Sequence, residues 1–425
     1  MADVLVRGGE VLDAGGRRRA DVLVADAVVR AVGEGLEAPA GATVLDAGGC
    51  VVAPGLVDLH AHLRQPGREE TETVETAARA AALGGYTAIV AMPNTEPPLD
   101  SAGTAREVLE LGRHAAVEVA VAGAITVGRA GERLAPMAEL AALGVRLFTD
   151  DGTGVQDGAL MRRALDYARG LGVTLAQHCE DERLAAGGAM HEGSWSSRLG
   201  IPGVPAAAEE AMVARDLALV RLTGARLHFL HLSTAGSVEL VRRAKAEGLP
   251  VTAEAAPHHL VLTDAAVGGF DPVFRVNPPL RGEADVAAVR AGLADGTIDV
   301  VATDHAPHAP ETKDVPFAEA PPGMLGLETA LAVALSVAPL EQVLALMSWQ
   351  PAAIAGLADR HGGPVAEGRP ANLCVIDPAA TWQVDAGRLA SRSRNTPYDG
   401  WKLTGRVRHT VVAGVPVVVD AEALR

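Results

Sequence analysis

The stretch Ala53-Pro54-Gly55-Leu56-Val57-Asp58-Leu59-His60-Ala61-His62-Leu63-Arg64 decides how the rest of the chain is read. Residues 57–63 form a short run of strand character that carries two histidines near its end and is followed by Arg64. On a strand, side chains two apart share a face, so His60 and His62 point to one side and can chelate a single ion. His-x-His alone is a weak sign of metal. Its weight depends on what later strands bring to the same place.

Outward from this stretch, residues 53–360 keep one rhythm. Apolar runs at 57–63, 87–92, 117–125, 145–149, 173–179, 226–232, 251–256 and 299–303 alternate with stretches of helical spacing such as 73–83, 158–171, 206–223 and 237–247. Eight strand–helix units in roughly 300 residues predict an α/β chain built on a (β/α)8 barrel of the TIM type. A doubly wound open sheet is the alternative, and no Gly-x-Gly-x-x-Gly opens a helix after the first strand to favour it. Residues 1–52 and 361–425 read differently, as Val-rich short strands with Gly and Asp punctuation. Neither end is large enough for a sandwich alone. Together they predict one small β-sandwich domain made from both termini, beside the barrel domain of residues 53–360.

In such a barrel, chemistry sits at the C-terminal strand ends. His60 and His62 end the first run, Asn94 follows the second, Asp151 the fourth, His178 the fifth, His231 the sixth and Asp304 the eighth. A polar side chain in an apolar interior needs a partner. Six residues of metal-ligand type at equivalent strand ends are best explained by a shared ligand. A bridge between two metals needs a negative charge. A carboxylated lysine is excluded at the fourth strand, because the first lysine of the chain is Lys245. An acid must serve, and Asp150 and Asp151 are both offered; periodicity does not choose between them. His228, three before His231, is expected on the opposite face in outer packing. Cys179 and His305 are expected to point away from the site, and His258 and His259 to serve as hydrogen-bonding structural groups.

Composition narrows the function classes. Of 425 residues 48% are hydrophobic and 21% charged, which excludes wholesale disorder. With 37 basic and 53 acidic side chains the net charge is −16, which argues against unspecific binding to nucleic acid or anionic membrane. An anionic ligand must then be captured by placed arginines or metal ions. Three scattered cysteines, Cys50, Cys179 and Cys374, form no disulfide framework. With no signal pattern and no apolar run of membrane-spanning length, a cytoplasmic location is expected.

The opening stretch resembles the signature of the amidohydrolase superfamily, cyclic-amide branch. Further matches are Arg64-Gln65-Pro66-Gly67, Met92-Pro93-Asn94-Thr95, Thr149-Asp150-Asp151-Gly152, Gln177-His178-Cys179-Glu180, His231-Leu232-Ser233, Asn277-Pro278-Pro279-Leu280-Arg281 and Thr303-Asp304-His305-Ala306-Pro307-His308. With them the chain resembles the bacterial class I dihydroorotase family over essentially its whole length. The resemblance implies two zinc ions per chain: His60, His62 and Asp304 on one, His178 and His231 on the other, Asp151 and a hydroxide bridging. It implies that Arg64, Asn94 and His308 face the substrate carboxylate and ring, Asn277 the ring amide, and the backbone of Pro322 and Gly323 a loop contact; the metal ligand His62 also borders the substrate. Family members commonly carry Phe where this chain has Pro322. The implied reaction is the reversible closure of N-carbamoyl-L-aspartate to L-dihydroorotate plus water, a step of pyrimidine biosynthesis, with Asp304 as proton shuttle. A homodimer and an association with aspartate transcarbamoylase are further implications. The alternatives are a hydantoinase, dihydropyrimidinase or allantoinase, whose substrates lack the ring carboxylate, and a catalytically silent partner of the transcarbamoylase, which would be expected to have lost ligands.

Overall fold

Eight short strands carry the middle of the chain: β1 (Leu56–Ala61), β2 (Tyr86–Ala91), β3 (Glu118–Val121), β4 (Leu147–Thr149), β5 (Thr174–Gln177), β6 (Leu227–Phe229), β7 (Val251–Ala255) and β8 (Val300–Val301). The computed structural model describes residues 3–424; Met1, Ala2 and Arg425, at the outer ends of the predicted terminal segments, lie outside it. The first three strands pair in parallel in the order β3-β2-β1, and the other five in the order β4-β5-β6-β7-β8. Parallel bridges Gly123–Phe148 and Ala61–His305 join the two sheets at both edges, so the pairing that leaves β8 returns to β1.

Alternation along these strands sorts their apolar side chains into two cores. Val57, Leu59, Ala88, Val90, Leu147, Ala176, Val300 and Ala302 pack on one another inside the strands. Leu56, Ile89, Phe148, Leu175, Leu227, Phe229, Ala253 and Val301 pack instead against the connecting helices. Several of those helices start at a side-chain N-cap. Thr73 accepts from the Thr76 amide at 3.2 Å ahead of Val74–Leu83, and Asp157 from the Leu160 amide at 2.6 Å ahead of Gly158–Leu171. Apart from β4, each strand ends before its apolar run does, because the last residues of the run leave the ladder to form the loops that hold the polar groups.

The two ends of the chain build a pair of β-sheets over a shared core of Val6, Val22, Leu45, Val52, Leu373, Val375 and Val411. One sheet has four strands, all from residues 4–46. The other has seven and mixes the ends: Val51–Pro54 lies between Glu10–Asp13 and Leu373–Gln383. Leu373–Gln383 is one long strand, with a register irregularity between Asp377 and Thr381 that the intervening Pro-Ala-Ala accommodates. The exposed edge strand Gly16–Arg19 carries no apolar alternation that a sequence pattern could show. No helix among the described residues is long and apolar enough to cross a membrane.

Candidate metal centre

The four histidines expected at strand ends converge on Asp151. Its carboxylate lies 3.4 Å from Nε2 of His60, 3.6 Å from Nε2 of His62, 3.6 Å from Nδ1 of His178 and 3.7 Å from Nε2 of His231. Asp304 closes the group, with Oδ1 3.2 Å from Nε2 of His62 and 3.6 Å from Nε2 of His60. All six residues are buried. Burial alone would raise the Asp151 and Asp304 carboxyls, but the surrounding imidazoles hold both well below the ordinary carboxylate range.

Local backbone features aim these groups. Val57 and Leu59 already face the inner core, so strict alternation would turn His60 outward. A register irregularity between Asp58 and Ala61 brings both His60 and His62 inward. His231 and Asp304 sit just beyond β6 and β8 with positive φ of 29° and 46°. Of the two candidate acids, Asp150 turns away: its Oδ1 accepts from the amides of Ile125 (2.8 Å) and Thr126 (3.0 Å). Asp151 is therefore the acid that faces the histidines.

The donors fit a pair of cations. His60, His62 and Asp151 bring ligand atoms within 4.8 Å of one another, and so do Asp151, His178 and His231. Nε2 of His60 is buried without a hydrogen-bond partner, an orphan that a cation would satisfy. Imidazole nitrogens with carboxylate oxygens suit Zn²⁺ and also accept Co²⁺ or Mn²⁺.

The groups behind the ligands were not all foreseen. Glu254, in the middle of β7, places Oε1 2.7 Å from Nδ1 of His60 and Oε2 3.0 Å from Nε2 of His228. His228 thus faces inward, not outward as expected; Nδ1 of its ring is 2.8 Å from Oγ1 of Thr252. The count from His231 failed because β6 ends at Phe229 and His231 adopts a left-handed φ. A charged residue inside the apolar run 251–256 was the signal that could have found Glu254. Asp58 accepts from the Thr303 amide at 2.9 Å and ties β1 to the exit of β8. Cys179 and His305 point away as expected; His305 Nδ1 accepts from the Gly326 amide at 3.2 Å. His259 meets the Pro278 carbonyl at 3.0 Å, whereas Nε2 of His258 finds no partner.

The expected substrate residues rim the same centre. Arg64, only 8% exposed, donates Nε to the Pro307 carbonyl at 3.2 Å and forms no ion pair among the described residues. Burial lowers its guanidinium to about 10, so it remains charged. Asn94 Oδ1 lies 2.9 Å from Nδ1 of His62. Asn277 Nδ2 donates to Glu180 Oε1 at 3.2 Å and lies 3.5 Å from Nε2 of His178. His308 donates Nε2–H to the Pro322 carbonyl at 2.8 Å; burial, with Arg64 nearby, lowers its imidazole to about 3 and keeps it neutral. Gly323 has φ 145°, and a Cβ there would stand 2.7 Å from both Ala306 Cβ and His308 Nε2, so only glycine fits. Beside Arg64, Pro307 and His308 a cavity of about 440 Å³ opens to solvent.

Comparison with known proteins agrees with this geometry. The family described as Dihydro-orotase-like matches residues 49–237. A dihydroorotase of Streptomyces coelicolor is 51% identical over 431 residues, covering 99% of this chain and all of the relative. One from Mycobacterium tuberculosis is 51% identical over 428 residues, covering 99% of both. Among solved structures, an L-hydantoinase (dihydropyrimidinase) from Arthrobacter aurescens superposes with a TM-score of 0.88 at 27% identity, covering 100% of this chain and 98% of its own. A D-hydantoinase (dihydropyrimidinase) from Thermus sp. superposes at 0.85 with 26% identity, covering 99% and 96%.

Proposed function

The chain belongs to the dihydroorotase family of cyclic amide hydrolases, and from that premise we propose that it interconverts L-dihydroorotate and N-carbamoyl-L-aspartate at the Asp151 centre with two zinc ions. The scaffold of this reading is a closed (β/α)8 barrel carrying a β-sandwich made from both termini. His60, His62 and Asp304 would hold one ion, His178 and His231 the other, and Asp151 both. Bound there, such a pair makes water a nucleophile near neutral pH and polarises the amide carbonyl.

The remaining chemistry belongs to the chain. Asp304, kept anionic by His62 and His60, takes the proton of the attacking water on a carboxylate oxygen and passes it to the ring nitrogen as the amide bond breaks. In the closing direction the same oxygen removes that proton from the carbamoyl nitrogen. General acid–base help of this kind contributes about 10²–10⁴ in rate. Asn94 fixes the His62 ring through Nδ1 and leaves its own amide nitrogen for the substrate. Asn277 offers Nδ2 to the ring amide. His308, held neutral, offers an imidazole rather than a charge, and Pro322 and Gly323 contribute backbone.

The observation that carries the reading is Arg64, a buried cation beside the centre with no carboxylate partner among the described residues. A planar guanidinium matches a carboxylate in bidentate fashion. The ring carboxylate of dihydroorotate is the anion that completes it, and a hydantoin or dihydropyrimidine without that group would leave it unpaired. The test is purified protein, with its metal content measured, mixed with N-carbamoyl-L-aspartate or L-dihydroorotate and followed by ultraviolet absorbance. Turnover of dihydropyrimidine or hydantoin with none of dihydroorotate would overturn the reading.

A further inference from the structure

We propose that Asn395 is a positioning residue for substrate binding: its carboxamide sets the spacing between the two loops that carry His308 and Gly323. The inference rests on the reading above, in which those residues touch the substrate. Asn395 belongs to the chain's last 65 residues, whose pattern predicts only the β domain, yet it is buried against the strand-end loops of the other body.

Its carboxamide makes three hydrogen bonds, one through Oδ1 and two through Nδ2. Oδ1 accepts from the His308 amide at 3.1 Å, while Nδ2 donates to the Ala306 carbonyl at 2.9 Å and the Gly323 carbonyl at 3.1 Å. Its own carbonyl accepts from the Leu325 amide at 3.1 Å. One N–H faces the oxygen and two carbonyls face the nitrogen, so a single orientation of the amide is possible. Both loops are thereby tied to one rigid plane.

The segment around Asn395 is itself anchored. Ser393 Oγ donates to the Thr71 carbonyl at 2.8 Å, the Arg392 amide to Glu72 Oε1 at 3.2 Å, and the Ala390 amide to Glu328 Oε1 at 2.8 Å. Asn395 is therefore a fixed post, and the loops hang on it. Between them the fit is already tight: His308 reaches the Pro322 carbonyl at 2.8 Å, and Gly323 lies where no Cβ is tolerated. A shift of either loop moves His308 and the 322–323 backbone relative to Arg64 across the mouth cavity.

The experiment uses the metal-loaded full chain with Asn395→Ala and the isosteric Asn395→Asp. The aspartate keeps the acceptor for His308 but sets an oxygen against two carbonyls. Measured are metal content, thermal midpoint, kcat and KM for L-dihydroorotate, and Kd for orotate, a planar analogue that is not hydrolysed. Misplaced contacts far from the reacting bond weaken ground-state and transition-state binding together, so KM and Kd should rise about 10–100-fold with kcat changed by less than about threefold. Metal content should not change. A folded variant with wild-type KM and Kd, or one that loses metal or kcat at unchanged KM, overturns the proposal and leaves the dihydroorotase reading standing. Wild-type protein that neither turns over dihydroorotate nor binds orotate overturns that reading and this one with it.

Discussion

The carboxylate of Glu254 lies 2.7 Å from Nδ1 of His60, on the side of the ring opposite Asp151. Burial would raise this carboxyl, but His60 and His228 hold it down to about 2, so it is an anion at working pH. An anion at Nδ1 fixes the proton there and leaves Nε2 as a lone pair aimed at the centre. Loss of such a partner typically costs 10–100-fold in metal affinity or activity. Glu254→Gln should therefore weaken metal binding by about that factor in a chelator competition. Unchanged affinity would show that His60 is oriented by packing alone.

Arg64 bears on substrate choice. Truncating one member of a desolvated charge pair costs about 2–5 kcal/mol. At 1.36 kcal/mol per decade, Arg64→Met should lower kcat/KM for L-dihydroorotate by roughly 30-fold to several thousand-fold. Any weak activity on dihydrouracil, the same ring without the carboxylate, should change far less. Equal losses on both would mean that Arg64 supports the fold or the centre instead.

Asp150 and Asp151 are neighbours with separate duties. Asp151→Ala removes the anion between four imidazoles and should abolish binding of at least one metal and with it turnover. Asp150→Ala leaves two buried amides, of Ile125 and Thr126, without an acceptor. That should cost about 1–3 kcal/mol of stability for each unsatisfied group and show first in thermal denaturation. Metal analysis of both variants checks the ranking. Because no lysine stands at this position, reconstitution with zinc should also be indifferent to bicarbonate.

As the proton shuttle proposed above, Asp304 would act in both directions of a reversible reaction. Asp304→Asn should depress ring opening and ring closure alike, by about 10²–10⁴, with circular dichroism unchanged. A loss confined to one direction under matched conditions is incompatible with a shared transition state.

The parts of this design that were legible in the sequence are those that repeat. His60 and His62 two apart, and single ligands after later runs, show through because strand ends recur at regular spacing. What the sequence did not show has local causes. His228 was misplaced because its face was counted from His231, and the chain turns left-handed between strand and ligand. Asp151 could not be separated from Asp150 without knowing which face Phe148 takes; Phe148 packs on helices, which sends Asp150 with it. Glu254 was lost inside an apolar run. Asn395 lies in a region whose pattern speaks only of β-strands, and its partners are backbone atoms some 70 to 90 positions away in the chain, which no periodicity records.

The sheet strand Val51–Pro54, one residue ahead of β1, pairs with Leu373–Ile376. On the ribosome its partner has not yet been made. At about 5–20 residues per second, tens of seconds pass between the emergence of the two strands. Throughout that interval the nascent chain presents an unpaired apolar edge directly before His60 and His62, the kind of edge that templates aggregation. Soluble yield in a foreign host should therefore respond to slower initiation, lower temperature or added chaperone.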